Sequence, residues 1–162
     1  MGKFTRIAQN LGLTTKAKSE LYEMLNKVLA DQHVLAMKTH AFHWNLKSEL
    51  FPQLHGLFGD QYDALQSAID ETAERCVMLG GVALSSLSEM LSNASLKESK
   101  GKFDAMKMVK ILCEDNETCV RNLRVFVDKT EELGDMGTND FLIGLMQGHE
   151  KTAWFLRSIL KD

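Results

Sequence analysis

The chain has 162 residues, of which 44% are hydrophobic and 25% are charged, and its formal net charge at pH 7 is −3. These values predict one soluble globular domain with a substantial core, and they argue against a surface that is basic throughout. No apolar run approaches the length that spans a membrane, and no signal peptide is visible at the N-terminus. The cysteines are odd in number and lack CxxC spacing, which predicts reduced, mostly buried thiols in a cytoplasmic protein.

Residues 1–15 are predicted to form a short N-terminal arm ahead of a domain that spans residues 16–162. Four positive side chains precede Glu20, the first acidic residue: Lys3, Arg6, Lys16 and Lys18. A flexible arm with this charge is able to contact DNA phosphates. The alternative is an ordinary solvated terminus, with Thr14 or Thr15 as the N-cap of the first helix.

Hydrophobic periodicity predicts an all-α fold in which four long helices form a bundle. These helices are expected over residues 16–45, 52–79 and 103–131, and from Thr138 or Asn139 as N-cap to Leu160. The connection over residues 83–99 has a weaker apolar pattern, which predicts a short extra helix in the crossover between the second and third long helices. A long crossover is needed when the third helix starts at the same end as the second.

The first helix carries two adjacent apolar stripes, one ending at His43 and the other at Trp44. Two stripes predict that this helix packs inside its own subunit and also against a second subunit. His33 and His40 lie nearly in line on the second stripe. They are predicted to be packed, hydrogen-bonded side chains, and a role for either at a metal site is left open.

The second predicted helix contains His55, Asp70 and Glu74, and His43 lies shortly before it. Histidines and carboxylates suit a first-row transition metal, with iron a natural candidate. Because His55 and Asp70 lie about 22 Å apart along one helix axis, they cannot bind one ion within one chain. Two copies packed antiparallel about a two-fold axis near Asp63 would bring His55 of one copy level with Asp70 and Glu74 of the other. The spacing therefore predicts a metal site shared between subunits.

Two segments of the sequence also carry a family resemblance. The HWN of residues 43–45, His55 twelve positions after His43, and DETAER at residues 70–75 resemble the signature of the Dps family, the mini-ferritins also called DNA-binding proteins from starved cells. Residues 136–156 resemble the last helix of that family. The resemblance implies a ferritin-like four-helix bundle and a hollow dodecameric shell. It also implies a cytoplasmic protein that protects DNA from oxidative damage and that is associated with the nucleoid if it binds DNA.

The resemblance also implies a chemistry, in which Fe²⁺ is oxidised by hydrogen peroxide between two-fold-related subunits and ferric mineral is stored inside the shell. It assigns iron binding and catalysis to His43, His55, Asp70 and Glu74. It places Trp44 beside the iron as a participant in redox events.

One position departs from the family pattern, in which an acidic residue follows the histidine of the second helix by one turn. The residue here is Gly59, and Asp60 and Asp63 lie elsewhere around or along the helix. A water molecule could occupy the missing ligand position, and the number of irons per site is left open. The alternative function is therefore a DNA-compacting or structural shell protein with an impaired ferroxidase site.

The remaining candidates lie near the last helix. The resemblance places Asp135 and Asp140 at a pore on a three-fold axis, where carboxylates would attract Fe²⁺, although Asp140 is also a typical acid of a first helical turn. His149 is expected to form a structural hydrogen bond. A di-iron site within one bundle would need Glu-x-x-His, which the sequence lacks.

Overall fold

The computed structural model describes residues 9–160, which fold into helices without any strand. The helices are α1 (Thr15–Asn45), α2 (Phe51–Met78), α3 (Leu87–Asn93), α4 (Ala105–Glu132) and α5 (Met136–Ile159). This confirms the predicted all-α fold, with α1, α2, α4 and α5 as the bundle and α3 as the short helix of the crossover. Most of the predicted arm, residues 1–8, lies outside the described residues, and no helix of residues 9–160 is suited to cross a membrane.

Two helical hairpins build the bundle, since α1 packs along α2 and α4 packs along α5, and the hairpins meet mainly through α1 and α4. One apolar cluster fills the end where α1 stops and α4 begins, and a second fills the opposite end. At the first end, Phe42 packs edge-on against Phe103 with ring centroids 5.7 Å apart. This contact fixes the end of α1 against the start of α4.

The crossover is held by a buried carboxylate of α1. The Asp31 side chain accepts hydrogen bonds from the backbone N–H groups of Ser95 (2.7 Å) and Leu96 (2.9 Å) and from the Ser95 hydroxyl (2.7 Å). Asn122 of α4 donates to the same carboxylate at 3.3 Å. Asp31 therefore ties the crossover to both hairpins.

The N-cap predicted for α1 is confirmed, whereas the N-cap predicted for the last helix, α5, is wrong. Thr14 caps α1, as predicted, by accepting a hydrogen bond from the N–H of Ala17. The prediction that Thr138 or Asn139 caps the last helix is wrong, because Asp135 caps it and accepts from the N–H of Thr138 at 3.0 Å. Thr138 and Asn139 lie buried in the first turn instead. All three are good capping residues, so sequence alone did not rank them.

The cysteines agree with the sequence-based expectation. Cys76, Cys113 and Cys119 are all reduced and buried. Burial raises the pKa of the Cys113 and Cys119 thiols, so both remain protonated at neutral pH. They are packing residues of the bundle.

Candidate metal centre

His43 and His55 are held together by a reciprocal pair of hydrogen bonds. The Nδ1 atom of His43 lies 2.8 Å from the carbonyl oxygen of His55, and the Nδ1 atom of His55 lies 3.1 Å from the carbonyl oxygen of His43. Because a carbonyl oxygen only accepts, both Nδ1 atoms must carry the proton. In the neutral imidazole this tautomer leaves the lone pair on Nε2, which is the form that binds a metal ion.

Stacking fixes the two rings as well as their tautomers. The His43 and His55 rings lie face to face, with centroids 3.7 Å apart and an interplanar angle of 22°. The ring of Phe51 stacks at 4.8 Å on His55. Buried Leu46 and Leu54 anchor the connection between α1 and α2 on either side. The last turn of α1 and the first turns of α2 thus present two oriented imidazoles, both only partly buried.

Gly59 faces this pair directly. A β-carbon built at position 59 would lie 3.3 Å from Cε1 and 3.5 Å from Nδ1 of His43. The position at which the family pattern has an acid therefore does adjoin the imidazole in this fold. Glycine leaves that space to the His43 ring, at a cost in helix propensity of roughly 1 kcal/mol relative to alanine.

Asp70 and Glu74 lie on the exposed surface of α2, one turn apart and further along the helix than His55. Neither forms an ion pair with another residue in the range 9–160. Within that range, no group of three or more His, Cys, Asp or Glu side chains is placed to hold a metal ion. One chain thus does not bring the four predicted ligands together, and a site shared with a second copy stays a prediction.

An aromatic cluster adjoins the histidine pair. The His40 ring stacks on Tyr62 at 3.7 Å and lies 4.0 Å from the ring of Trp44. Trp44 itself is 58% exposed. Sequence reasoning did not single out Tyr62, although its place two turns after His55 on α2 was a usable signal. His40 is packed, as predicted, but its ring forms no hydrogen bond with the residues in the range 9–160, so the predicted hydrogen bond is not found.

A large part of the second stripe of α1 is uncovered in the single chain. It borders a groove of about 500 Å³ between α1, α2 and α3 that contains His33, whose pKa is lowered by burial. Large apolar side chains are exposed along and near this groove: Met37, Trp44, Leu87 and Leu91. Exposed apolar surface of this extent marks an interaction surface. Of the apolar side chains of this stripe, Leu29 is buried within the chain, whereas Met37 and Trp44 are exposed.

Of the other predicted site residues, Asp135 has a structural role, and the structure assigns no role to Asp60, Asp63 or Asp140. Asp135 is buried and receives hydrogen bonds from Arg75 at 3.0 Å and from the Thr138 hydroxyl. Burial raises the pKa of Asp135, but these bonds outweigh burial and hold the pKa below its usual range. Its carboxylate is thus already bonded within the chain, and a place for Asp135 at a pore between subunits stays a prediction. Asp60, Asp63 and Asp140 are exposed.

His149 has the structural hydrogen bond that the sequence analysis expected. Its Nδ1 atom lies 2.7 Å from the side-chain oxygen of Asn116 in the middle of the bundle. Burial lowers the pKa of His149 to about 4, so the ring is neutral at pH 7. It lies outside the candidate metal centre.

Comparison with known proteins places this geometry in a family. A model of the ferritin-like domain matches residues 22–162. The uncharacterized low temperature-induced protein all0458 of Nostoc sp. PCC 7120 is 42% identical over 154 residues, which cover 94% of this chain and 86% of that protein. DNA protection during starvation protein 2 of Bacillus anthracis is 35% identical over 143 residues, which cover 88% and 98% of the two chains.

Solved structures agree. The Dps protein of Vibrio cholerae O1, described as a member of a superfamily of ferritin-like diiron-carboxylate proteins, superposes with a TM-score of 0.91 at 31% identity, covering 95% of this chain and 97% of its own. DpsC of Streptomyces coelicolor superposes with a TM-score of 0.92 at 30% identity, covering 100% and 96%. The chain belongs to the Dps family of ferritin-like proteins.

Proposed function

We propose that this protein is a mini-ferritin that oxidises Fe²⁺ between subunits and stores the ferric product inside a shell of its own copies, with a dodecamer as the expected assembly. The observation that carries the proposal is the reciprocal bonding of His43 and His55. That arrangement fixes both imidazoles as metal ligands before any ion arrives. Membership of the ferritin-like family, in which a relative is described as a diiron-carboxylate protein, supports iron as the metal.

The two kinds of ligand have different tasks. His43 and His55 bind Fe²⁺ through Nε2 without a cost of reorientation, because the backbone carbonyls and the ring stack hold them. Asp70 and Glu74 of a second copy add negative charge, which favours Fe³⁺ over Fe²⁺. The charge of the site thus favours the oxidised product.

Hydrogen peroxide is the oxidant that we propose. Two Fe²⁺ ions each give one electron to one H₂O₂, its O–O bond breaks, and two protons are taken up to give two Fe³⁺ ions and two water molecules. Delivery of both electrons avoids the hydroxyl radical that one-electron cleavage of peroxide releases. Such a reaction would protect DNA, which accords with the names of the curated relatives.

The shared site requires an interface that covers the exposed apolar surface of α1 and α3. An antiparallel pairing of two α2 helices about their middle, near Asp63, would place the histidine end of each against the carboxylate end of the other. Exposed Val77 and Met78 beside Glu74 extend the apolar surface to that end. Burial of these side chains would stabilise the pair, so assembly and site formation are one event.

Optical measurement of Fe²⁺ oxidation, with hydrogen peroxide and separately with O₂, tests the proposal. We expect a fast peroxide-driven phase that saturates at a fixed iron-to-subunit ratio and slows at least about tenfold in His55→Ala and Asp70→Ala. Glu71→Ala, which removes an exposed acid next to Asp70, should leave it unchanged. A wild-type rate equal to that of protein-free solution would reject ferroxidase activity.

The second candidate, a shell protein with an impaired site, rests on Gly59. It would be favoured if the protein assembled normally and bound Fe²⁺ without accelerating its oxidation.

A further inference from the structure

A cleft of about 190 Å³ opens between α2 and α5 and reaches the middle of the bundle. The two hairpins meet mainly through α1 and α4, which leaves α2 and α5 apart on this side. The floor of this α2–α5 cleft is formed by buried polar side chains, and its mouth by small exposed residues. The floor residues are Thr39, Asn116 and His149, and the mouth residues are Ala64, Gly144 and Gly148. The proposed iron chemistry uses none of them.

Two glycines one turn apart keep the mouth of the cleft open. Gly144 and Gly148 lie inside α5, where glycine is less favourable than alanine. Glycine in a helix has a packing reason where another element comes too close for a side chain. A β-carbon built at either position, however, would meet no atom of another element within 4 Å. Packing within the chain therefore does not require these glycines, and what they provide is open space.

The cleft offers an unused hydrogen-bond acceptor at its floor. The Nδ2 atom of Asn116 donates to the carbonyl oxygen of Leu112 at 2.7 Å, so its Oδ1 atom accepts from the Nδ1–H of His149. Burial lowers the pKa of His149 to about 4, so its ring is neutral at pH 7. The Nε2 atom of His149 is then an acceptor, and it forms no hydrogen bond with the residues in the range 9–160.

A hydrogen-bond donor without a partner lies in the wall of the cleft. The Nε2 atom of Gln61 is buried, and no residue in the range 9–160 accepts a hydrogen bond from it. A buried donor without an acceptor is unfavourable, which calls for a further partner. Because the terminal torsion of glutamine is soft, a small rotation of the amide presents this donor to a ligand in the cleft.

The remaining lining defines the chemical class of that ligand. Of the residues that the structure describes, none with a charged side chain lines the cleft, so an ionic ligand would lose its hydration without compensation. The walls also include apolar Leu65, Ala68 and Leu145. An apolar cavity of about 150 Å³ is large enough for benzene, so this cleft has room for a ring with a polar substituent.

We propose that the α2–α5 cleft binds a small neutral ring compound that carries a hydroxyl group, of about the size of phenol. The ring would pack between Leu65, Ala68 and Leu145, and the hydroxyl would donate to His149 and accept from Gln61. A few oriented polar groups in a mostly apolar pocket are typical of small-molecule sites. This goes beyond the proposed function, because it needs neither iron nor the histidine pair.

A ligand-observed NMR titration of the assembled protein with phenol tests the inference. Gly148→Leu fills the mouth of the cleft, and Gln61→Leu removes the donor. Gly56→Leu and Gln147→Leu are the matched controls. A β-carbon at position 56 also meets nothing within 4 Å, and Gly56 and Gln147 are both exposed outside the cleft. Benzene, which lacks the hydroxyl, and benzoate, which is an anion, are the comparison ligands.

We expect phenol to bind wild type and both controls with a Kd of about 1 mM or tighter, and to bind Gly148→Leu and Gln61→Leu at least about tenfold more weakly. Benzene should bind wild type at least about tenfold more weakly than phenol, and benzoate should not bind. No binding of phenol at about 10 mM, unchanged binding in either test variant, or equal affinity for benzene would overturn the proposal.

The assembly state of the variants distinguishes a ligand site from a contact between copies. Size-exclusion chromatography should give the same assembly for wild type, Gly148→Leu and Gly56→Leu. Loss of assembly in Gly148→Leu alone would assign the cleft to a second copy of the chain and overturn the proposal. Because no measurement here involves Fe²⁺, failure would not affect the ferroxidase proposal.

Discussion

Gly59 on α2 lies against the imidazole of His43, so closely that a β-carbon at position 59 would stand 3.3 Å from Cε1. One helix position thus controls how much room the proposed iron ligand has. A side chain there must move the ring, and the ring is held by its bond to the His55 carbonyl. Glycine at this position and the reciprocal histidine pair are therefore structurally coupled.

Alanine substitutions at Gly56 and Gly59 distinguish the contact with His43 from the general effect of glycine on helix stability. Gly56→Ala should stabilise the protein by about 0.5–1 kcal/mol, because a β-carbon there meets nothing within 4 Å. Gly59→Ala should raise the free energy of unfolding by less than Gly56→Ala does, because His43 must shift. The same shift should slow peroxide-driven Fe²⁺ oxidation. Denaturant unfolding and the oxidation assay on both variants check this. Equal rates in the two variants would show that His43 tolerates the contact.

An acid at position 59 should raise the iron capacity of the site. Gly59→Asp places a carboxylate beside His43, where the family pattern has one, and we expect more Fe²⁺ bound per subunit at saturation under anaerobic conditions. Gly56→Asp is the matched control with an acid one turn earlier. Isothermal titration with Fe²⁺ gives the stoichiometry, and an unchanged value for Gly59→Asp would mean that water already supplies the missing ligand.

Mixed assemblies test whether the site is shared between chains. His55→Ala and Asp70→Ala subunits should each be inactive alone. When they are co-assembled at random, about a quarter of the wild-type activity should return, because half of the two-fold pairs are mixed and each mixed pair keeps one intact site. Activity that never rises above that of the separate variants would place all ligands in one chain.

Asp135 should matter for stability and Asp140 should not. Asp135→Asn removes an N-cap charge and leaves the Arg75 guanidinium without its charged partner, which should cost about 2–3 kcal/mol. The pKa of Asp135 is lower in the folded chain than in the unfolded chain. The contribution of ionised Asp135 to stability is therefore complete above the pKa of the unfolded chain, and it is lost as the pH falls through the pKa of the folded chain. Asp140→Asn should unfold like wild type. Slower Fe²⁺ uptake in Asp140→Asn alone would support the pore prediction.

His149 should make the bundle sensitive to mild acid. Its pKa is about 4 in the folded state, below the ordinary value of 6.5, so the unfolded chain binds the proton more readily. Its stabilising effect is full above pH 6.5 and should be lost by about pH 4, a change of about 3 kcal/mol. The difference in unfolding free energy between wild type and His149→Gln, measured across this range, isolates the effect. A pH-independent difference would contradict it.

The sequence was informative where local periodicity decides the structure. The ends of α1 and α2 lie within one residue of prediction, because Thr14 marks the start of α1 and Pro52 and Gly80 mark the two ends of α2. The start of α5 was misplaced, because Asp135, Thr138 and Asn139 are all good N-caps. Tertiary hydrogen bonds from Arg75 to both Asp135 and Thr138 hold Asp135 at the cap position, and the sequence does not show them.

The candidate site was predictable as a set of residue types and not as a geometry. Spacing indicated His43 and His55, yet their reciprocal bonds depend on how the chain turns over residues 46–50, which periodicity does not describe. The stacking of His40 between Trp44 and Tyr62 likewise depends on the register of α1 against α2. The second stripe of α1 was predicted to pack against a second subunit, and Met37 of that stripe is 59% exposed in the single chain.

The bonds that Asp31 makes have a consequence for how the chain folds. Each helical hairpin joins neighbours in sequence and can form early by short-range contacts. The Asp31 carboxylate, by contrast, collects donors from Ser95 and Asn122, which lie 64 and 91 positions away. Closing such long loops is entropically costly until the hairpins have docked. We therefore expect this network to form after the transition state, so that its removal would hasten unfolding far more than it slows folding.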